Sequence, residues 1–445
     1  MSRKLSSVML PFTQRLRIAS RPCFTAMSGA WPSYTDRLLL LPQSQSPAQL
    51  SAWLSASHPD YDMTSWCLFG NLIGDDGDDG PGRVDAVSAV VQLLRQPLVP
   101  SCPNLFPCLR LRTFEAGFTY DGAGSDGYRI FGTMGLMPSP TLAITPEPWS
   151  VVVRWQQNGA SRSVLCLSLV EGEMGRRAAV YMLTADVHDV SGRRVQAEIR
   201  LRDRLGIVNE GYGPASFLPQ WLTPEQNIAI QQHCNHSVAG YLAQSGDAMA
   251  CQGAYYYSAP LLDVVDFTLR DQDGRVHAHG RRGSLWLDFV VQSFNAAAWQ
   301  TVSGAAWTFF AIQFPEHDSA LMISTVRTTS PPSTLPTAKY FTASGERTAN
   351  AALNAVHEWS MDQIAIHADP RSLWTSPISG ARYHLTYDIR LGGTDFPVEL
   401  RLQAVRPNQE IYVLGNSKYE GVFTVKGHVN AHGYHGLAWG ELHKA

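Results

Sequence analysis

A carboxylate set among rings and hydroxyls is the feature of this chain best equipped for chemistry. It is Asp288, the end of Gly283-Ser-Leu-Trp-Leu-Asp288, with Leu287 before it and Phe289 after it. A carboxylate in apolar company must be paired, or must keep its proton and donate a hydrogen bond. Arg281 and Arg282 are close enough in sequence to be that pair. Upstream lies Gly253-Ala-Tyr-Tyr-Tyr-Ser-Ala-Pro-Leu-Leu262, whose hydroxyls can bond a carboxylate or a substrate carbonyl. Side chains alternate along a strand, so Tyr256 and Ser258 share one face, and Tyr255 and Tyr257 the other. Which face meets a ligand stays open, so Tyr256, Tyr257 and Ser258 are all candidates. Trp286, Trp307 and Phe309 serve equally as walls for a hydrophobic guest or as core. Glu115, in Arg112-Thr-Phe-Glu-Ala-Gly117, can point inward and polarise a substrate, or face solvent.

These residues need strands to hold them. Residues 263–269 alternate as a strand does, and Asp271-Gln-Asp-Gly274 is a turn signal, so residues 253–288 read as a hairpin. Short strand-like segments recur on both sides, split by Gly, Pro, Asp and Asn. They fall at 65–73, 109–120, 128–134, 149–156, 163–170, 178–187 and 194–201, and again at 304–314, 320–327, 383–391, 397–404, 410–414, 421–429 and 436–442. Many short strands at such spacing mark an all-β sandwich or barrel. Residues 46–54 and 223–243 read as helices, the second opened by Thr223-Pro-Glu225. His233 and His236 can share a face of that helix, but no third ligand is evident and polar helix surface is the ordinary reading. Residues 74–82, rich in Asp and Gly, form a loop whose spacing does not fit an EF-hand. The abrupt change at Thr328-Thr-Ser-Pro-Pro-Ser-Thr-Leu-Pro336 reads as a domain boundary. The expected organisation is an arm and first helix over 1–60, a larger β domain over 61–327 and a smaller one over 337–445.

Composition excludes several functions. A net charge of -3 gives no case for nucleic acid or an anionic membrane. No run reaches the roughly 20 apolar residues of a membrane-spanning helix. Seven cysteines, odd in number and without Cys-x-x-Cys spacing, argue for a reducing, cytoplasmic setting. The Arg-containing, acid-free N-terminus is a poor secretory signal and reads as an arm or a transit segment. Nucleophile elbow, P-loop, dinucleotide fingerprint and His-Glu-x-x-His are all missing. No metal or other cofactor is expected, and chemistry must come from shape, hydrogen bonds and acid–base groups in a cavity.

Further motifs carry a family likeness. Leu373-Trp-Thr-Ser-Pro-Ile-Ser-Gly-Ala-Arg-Tyr383, Asn408-Gln-Glu410, Lys418-Tyr-Glu-Gly-Val422 and Gly433-Tyr-His-Gly-Leu-Ala-Trp-Gly-Glu-Leu442 follow the two hairpin segments in order. Together they resemble the lipocalin-like family of carotenoid 1,2-hydratases, attachment-protein-like bacterial proteins, fungal kievitone hydratase and fungal decalin-forming [4+2] cyclases. The resemblance covers roughly residues 250–445, with a weaker match at Ser65-Trp-Cys-Leu-Phe-Gly70. It implies two lipocalin-like β-barrel or sandwich domains, a few short helices and a small hydrophobic ligand. Hydratase-like members usually continue Trp-Leu-Asp with His-Glu-Trp, whereas Phe289-Val-Val follows here. Hydration needs a positioned acid. The loss of that pair favours a cofactor-free cyclase, with [4+2] closure of a polyketide or terpenoid intermediate as the leading reaction. Hydration of an isoprenoid double bond is the runner-up, and a lipophilic carrier the reading outside enzymology. Asp288, Tyr256 and Glu115 are the expected catalytic groups. Tyr257, Ser258, Trp286, Trp307, Phe309 and Trp374 are the expected substrate contacts. Trp374, Tyr419, Glu420, Trp439 and Glu441 also read as struts of the smaller domain and its interface.

Overall fold

The computed structural model describes residues 55, 63–75, 84–97, 110–119, 128–130, 133–136, 141–156, 162–188, 194–210, 253–293, 306–329, 332–343, 357–359, 361–393, 396–413 and 416–442. The expected N-terminal arm, the helix over 46–54, the 223–243 helix with its two histidines and most of the 74–82 loop lie outside them. The described residues form curled, nearly closed antiparallel sheets, as expected for two barrel-like β domains. Among them no helix is long and apolar enough to cross a membrane.

The first sheet is largely a meander whose two ends meet in its middle. There the Arg282–Ser293 strand lies between Met63–Ile73 on one side and Gly253–Arg270 on the other. The turn before it forms as the sequence predicts. Asp271 Oδ1 accepts from the backbone N–H of Asp273 and Arg275, both at 2.9 Å, and Gly274 takes φ +76°. Glycine is required where neighbouring backbones close up. A Cβ on Gly70 would lie 2.3 Å from the Ser284 carbonyl oxygen, and one on Gly283 would lie 2.3 Å from that of Asn71.

The second sheet starts at Ala306–Phe314, which pairs with His432–Leu442 near the C-terminus and with Ser319–Thr329. The changeover between sheets therefore falls between Ser293 and Ala306. The proline-rich stretch at 328–336, expected as a boundary, lies within one pair of strands of the second sheet. Ser319–Thr329 pairs with Pro332–Thr342 through all eleven residues. Pro332 and Pro336 are tolerated because the next strand, His357–Trp359, covers only Ala338 to Tyr340. The prolines therefore stand where, among the described residues, the strand has a single hydrogen-bonded neighbour.

Strand alternation separates three cores. Leu285, Leu287 and Phe289 point into the hollow of the first sheet, with Tyr257, Leu262 and Tyr181. Phe310, Ile312 and Phe314 point into the second, with Tyr387 and Phe423. The intervening residues, Trp286 on one sheet and Phe309 and Ala311 on the other, meet in a third cluster with Phe69, Phe341 and Trp439. Each sheet therefore curls round its own core, and the outer faces pack together. Phe69 stacks on Trp439 at 5.4 Å, and Phe309 stands edge-on to Trp286 at 6.1 Å. Polar staples cross the seam. Gln313 Nε2 donates to the carbonyls of Pro260 (3.0 Å) and Leu285 (2.7 Å), where a bulge at Pro260 breaks the ladder. Arg204 bridges Asp263 of the first sheet and Asp318 of the second.

Candidate functional site

The same alternation decides which predicted residues can act together. Tyr256 and Ser258 lie on the outer face of Gly253–Arg270, beside the outer-facing Trp286 and Asp288 of Arg282–Ser293, with Ser258 directly opposite Asp288. The Asp288 carboxyl is buried and accepts three hydrogen bonds: from the Tyr256 hydroxyl, from Ser258 Oγ at 2.7 Å and from Trp286 Nε1 at 2.6 Å. These, and not Arg281 or Arg282, are its partners. Both arginines are exposed.

A residue that the sequence did not single out completes the group. Glu210 follows the two-residue strand Val208–Asn209, which pairs with Ser258 and Tyr257. Its backbone N–H donates to the Tyr256 carbonyl at 3.0 Å, and this fixes the buried side chain beside Ser258. Ser258 Oγ is 2.6 Å from Glu210 Oε1 and 2.7 Å from Asp288 Oδ1. A hydroxyl has one proton to give. If it bonds one carboxylate, the other carboxyl must bring its own proton to make the second contact. Two buried carboxyls so joined hold one proton between them.

The electrostatics agree with this count. Burial pushes Asp288 up to about 7, against the opposing pull of its three donors, with the Glu420 charge adding to the rise. Glu210 is pushed well above the usual carboxylate range, first by burial and then by the Asp288 charge, while the Ser258 and Trp286 donors, and after them the Lys339 charge of the second sheet, pull the other way. Asp288 has the Tyr256 donor in addition, which favours charge on Asp288 and the proton on Glu210. Burial also raises the Tyr256 phenol, as does the Asp288 charge, so Tyr256 stays a donor. Ser258 and Trp286 are wholly buried, whereas Tyr256 is half-buried. The pair is therefore reached from the Tyr256 side.

Other candidates fall elsewhere. Tyr257 turns away into the first core. Phe309 belongs to the aromatic seam beside Trp286, and Trp307, on the same strand two residues earlier, is 41% exposed and hydrogen-bonds Glu441. Trp374 packs in the second domain, 6.3 Å from Tyr383 and from Tyr419. The Glu115 backbone lies in the same cross-strand row as Asp288, through Cys67 and Val90. Cys67 itself is a free thiol beside Asp288, pushed up by burial and by that charge. Among the described residues no group of His, Cys, Asp and Glu is arranged to hold a metal ion.

Comparison with known proteins finds a likeness over part of the chain. A model of the AttH-like family matches from residue 222 to residue 439, taking in Tyr256, Ser258, Trp286 and Asp288. Glu210 and Glu441 lie outside the AttH-like match. Two solved structures resemble most of the chain. Kievitone hydratase from Nectria haematococca is 14% identical, with a TM-score of 0.50 over 88% of this chain and 92% of its own. An AttH-type protein from Nitrosomonas europaea is 15% identical, with a TM-score of 0.49 over 90% of this chain and 96% of its own. At such identities the likeness is one of fold. No curated protein matches the chain in sequence.

Proposed function

We propose that the protein is a hydratase-type lyase, adding water across a carbon–carbon double bond of a hydrophobic small molecule held between its two sheets. The observation that carries this reading is the single Ser258 hydroxyl shared by two buried carboxyls. Hydration needs one group to give a proton and one to take a proton from water, both poised near neutrality. Asp288 faces the approach at Tyr256 and exchanges protons with the substrate, while Glu210 stands behind Ser258 and restores its state. The name of the structural neighbour kievitone hydratase supplies the reaction class.

The motif departure that favoured a cyclase loses much of its weight here. Of the positions where the hydratase pattern has its His and Glu, Phe289 belongs to the first core and only Val290 shares the Asp288 face. Glu210 supplies from another strand an acidic group that the motif lacks. Val290 still favours the [4+2] cyclase as the second reading, since it leaves an apolar wall beside a hydrogen-bonding Asp288. Product mass separates the readings. Purified protein is incubated with kievitone and, separately, with linear polyene intermediates. A product heavier by one water supports hydration, an isomer of unchanged mass supports cyclisation, and recovery of bound, unaltered ligand supports a carrier.

A further inference from the structure

The seam between the sheets holds a second pair of carboxyls, contributed entirely by the second sheet. Phe309, Glu441 and Glu420 lie directly opposite one another on three adjacent strands. Residues so opposed share a face. Phe309 packs on Trp286, so both glutamates face the seam. Their partners differ. Glu420 is ion-paired to Lys418 and accepts from Ser88 Oγ of the first sheet at 3.2 Å. Glu441 feels the charge of Lys418, whose ion pair is with Glu420, and is held by the Trp307 indole, a neutral donor. Like charges placed directly opposite repel, and the better compensated member of such a pair keeps its charge. Glu441 is the less compensated member and carries the proton. Burial, then the Glu420 charge, lift Glu441 to about 8. Across the seam Glu441 interacts electrostatically with Asp288, Cys67 and Tyr256. Trp307, exposed, and Tyr256, half-buried, are the rings closest to solvent on either side.

We propose that Glu441 is a further catalytic residue, a general acid that the second sheet presents to a substrate lying opposite Asp288. The role rests on the hydration reading above and divides its labour. Glu441 gives its proton to one alkene carbon, forming the new C–H bond. The oxygen of water bonds the other carbon and its surplus proton passes to Asp288. Exchange with solvent then returns Asp288 to its charged form and Glu441 to its neutral one, so water alone is consumed. Neither domain is competent without the other.

The test compares native protein with Glu441→Gln on the alkene substrate that the native protein hydrates, across pH, with thermal melts of both. The expected result is a native profile that rises as Asp288 ionises and falls as Glu441 does. Glu441→Gln should keep its melting temperature, lose ~10²-fold in kcat/KM, the low end for a general acid, and lose the alkaline limb. Hydration that survives in Glu441→Gln with its rate and alkaline limb intact overturns the role of Glu441 alone. Absence of any hydration by the native protein overturns the reading of the reaction, and this role with it. Should the variant not fold, carboxyl-carbon NMR on the native protein decides. Titration of Glu441 above neutrality supports the role, and titration in the ordinary carboxylate range overturns it.

Discussion

The molecule buries two carboxylates under serine and tyrosine hydroxyls, and they do different things. Glu410, in the second domain, accepts from the hydroxyls of Ser376, Ser379 and Tyr383, the last at 3.0 Å. Every donor has its own proton and Glu410 is the acceptor for all three, so the arrangement is complete with the carboxylate charged. Ser376 Oγ also accepts the backbone N–H of Ile378 (3.1 Å) and Ser379 (3.2 Å), which ties the 376–380 turn to the barrel. Asp288 likewise has a tyrosine and a serine, but Ser258 must also serve Glu210. A satisfied carboxylate holds a turn, whereas two carboxyls on one hydroxyl leave a proton that can move. The lesson is that proton count, more than burial or residue type, separates a strut from a site.

The comparison can be broken most sharply at Asp288. Asp288→Asn should lower kcat by ~10³-fold, within the range for an acid–base group, with a circular dichroism spectrum like that of the native protein. A near-native rate would make Asp288 another strut. Glu410→Ala should do the reverse. The buried hydroxyls of Ser376 and Tyr383 and the half-buried one of Ser379 lose their acceptor, and chemical denaturation should show a loss of about 3 kcal/mol, while turnover of the folded enzyme stays within roughly twofold, since no acid–base group has been touched. Glu210→Gln preserves shape and should cost ~10²-fold in kcat, less than Asp288→Asn because it acts from behind Ser258.

Tyr256, Ser258, Trp286 and Asp288 were legible in the sequence because they lie on one hairpin whose turn and alternation are local properties. Strand alternation also left open which tyrosine faces the site, and only the packing of Tyr257 in the first core resolves it. Glu210 was not legible. It ends a two-residue strand 48 positions before Ser258 in the chain, and its sole local sign is an acidic residue closing the apolar run Ile207-Val-Asn-Glu210. The seam was missed for a similar reason. The 328–336 prolines look like a linker because local composition cannot show that a strand has only one neighbour among the described residues. Glu441 read as a strut because the row that turns it to the seam runs on to Phe309, more than a hundred residues earlier in the chain.

Stability should follow the same division. The folded-state values of Asp288 and Glu441, about 7 and about 8, lie above their ordinary 3.8 and 4.5. A raised carboxyl binds its proton more tightly folded than unfolded, so its contribution is full below its ordinary value and lost as pH rises through the folded one. Denaturant midpoints should therefore fall between about pH 4 and 8 by these two groups, and Asp288→Asn should flatten the lower part of that slope. Smallest is the effect of Arg204→Ala at the seam, where partly exposed pairs with Asp263 and Asp318 are worth about 1 kcal/mol or less.

The shared proton itself can be observed. Infrared spectra of the native protein, titrated against Asp288→Asn and Glu210→Gln, report protonated carboxyls through their carbonyl stretch. The account predicts a carboxyl band that persists at neutral pH, weakens with a midpoint near 7 in the native protein and loses that step in Asp288→Asn. A native spectrum in which every carboxyl attributable to Asp288 and Glu210 is already ionised well below neutrality would contradict it.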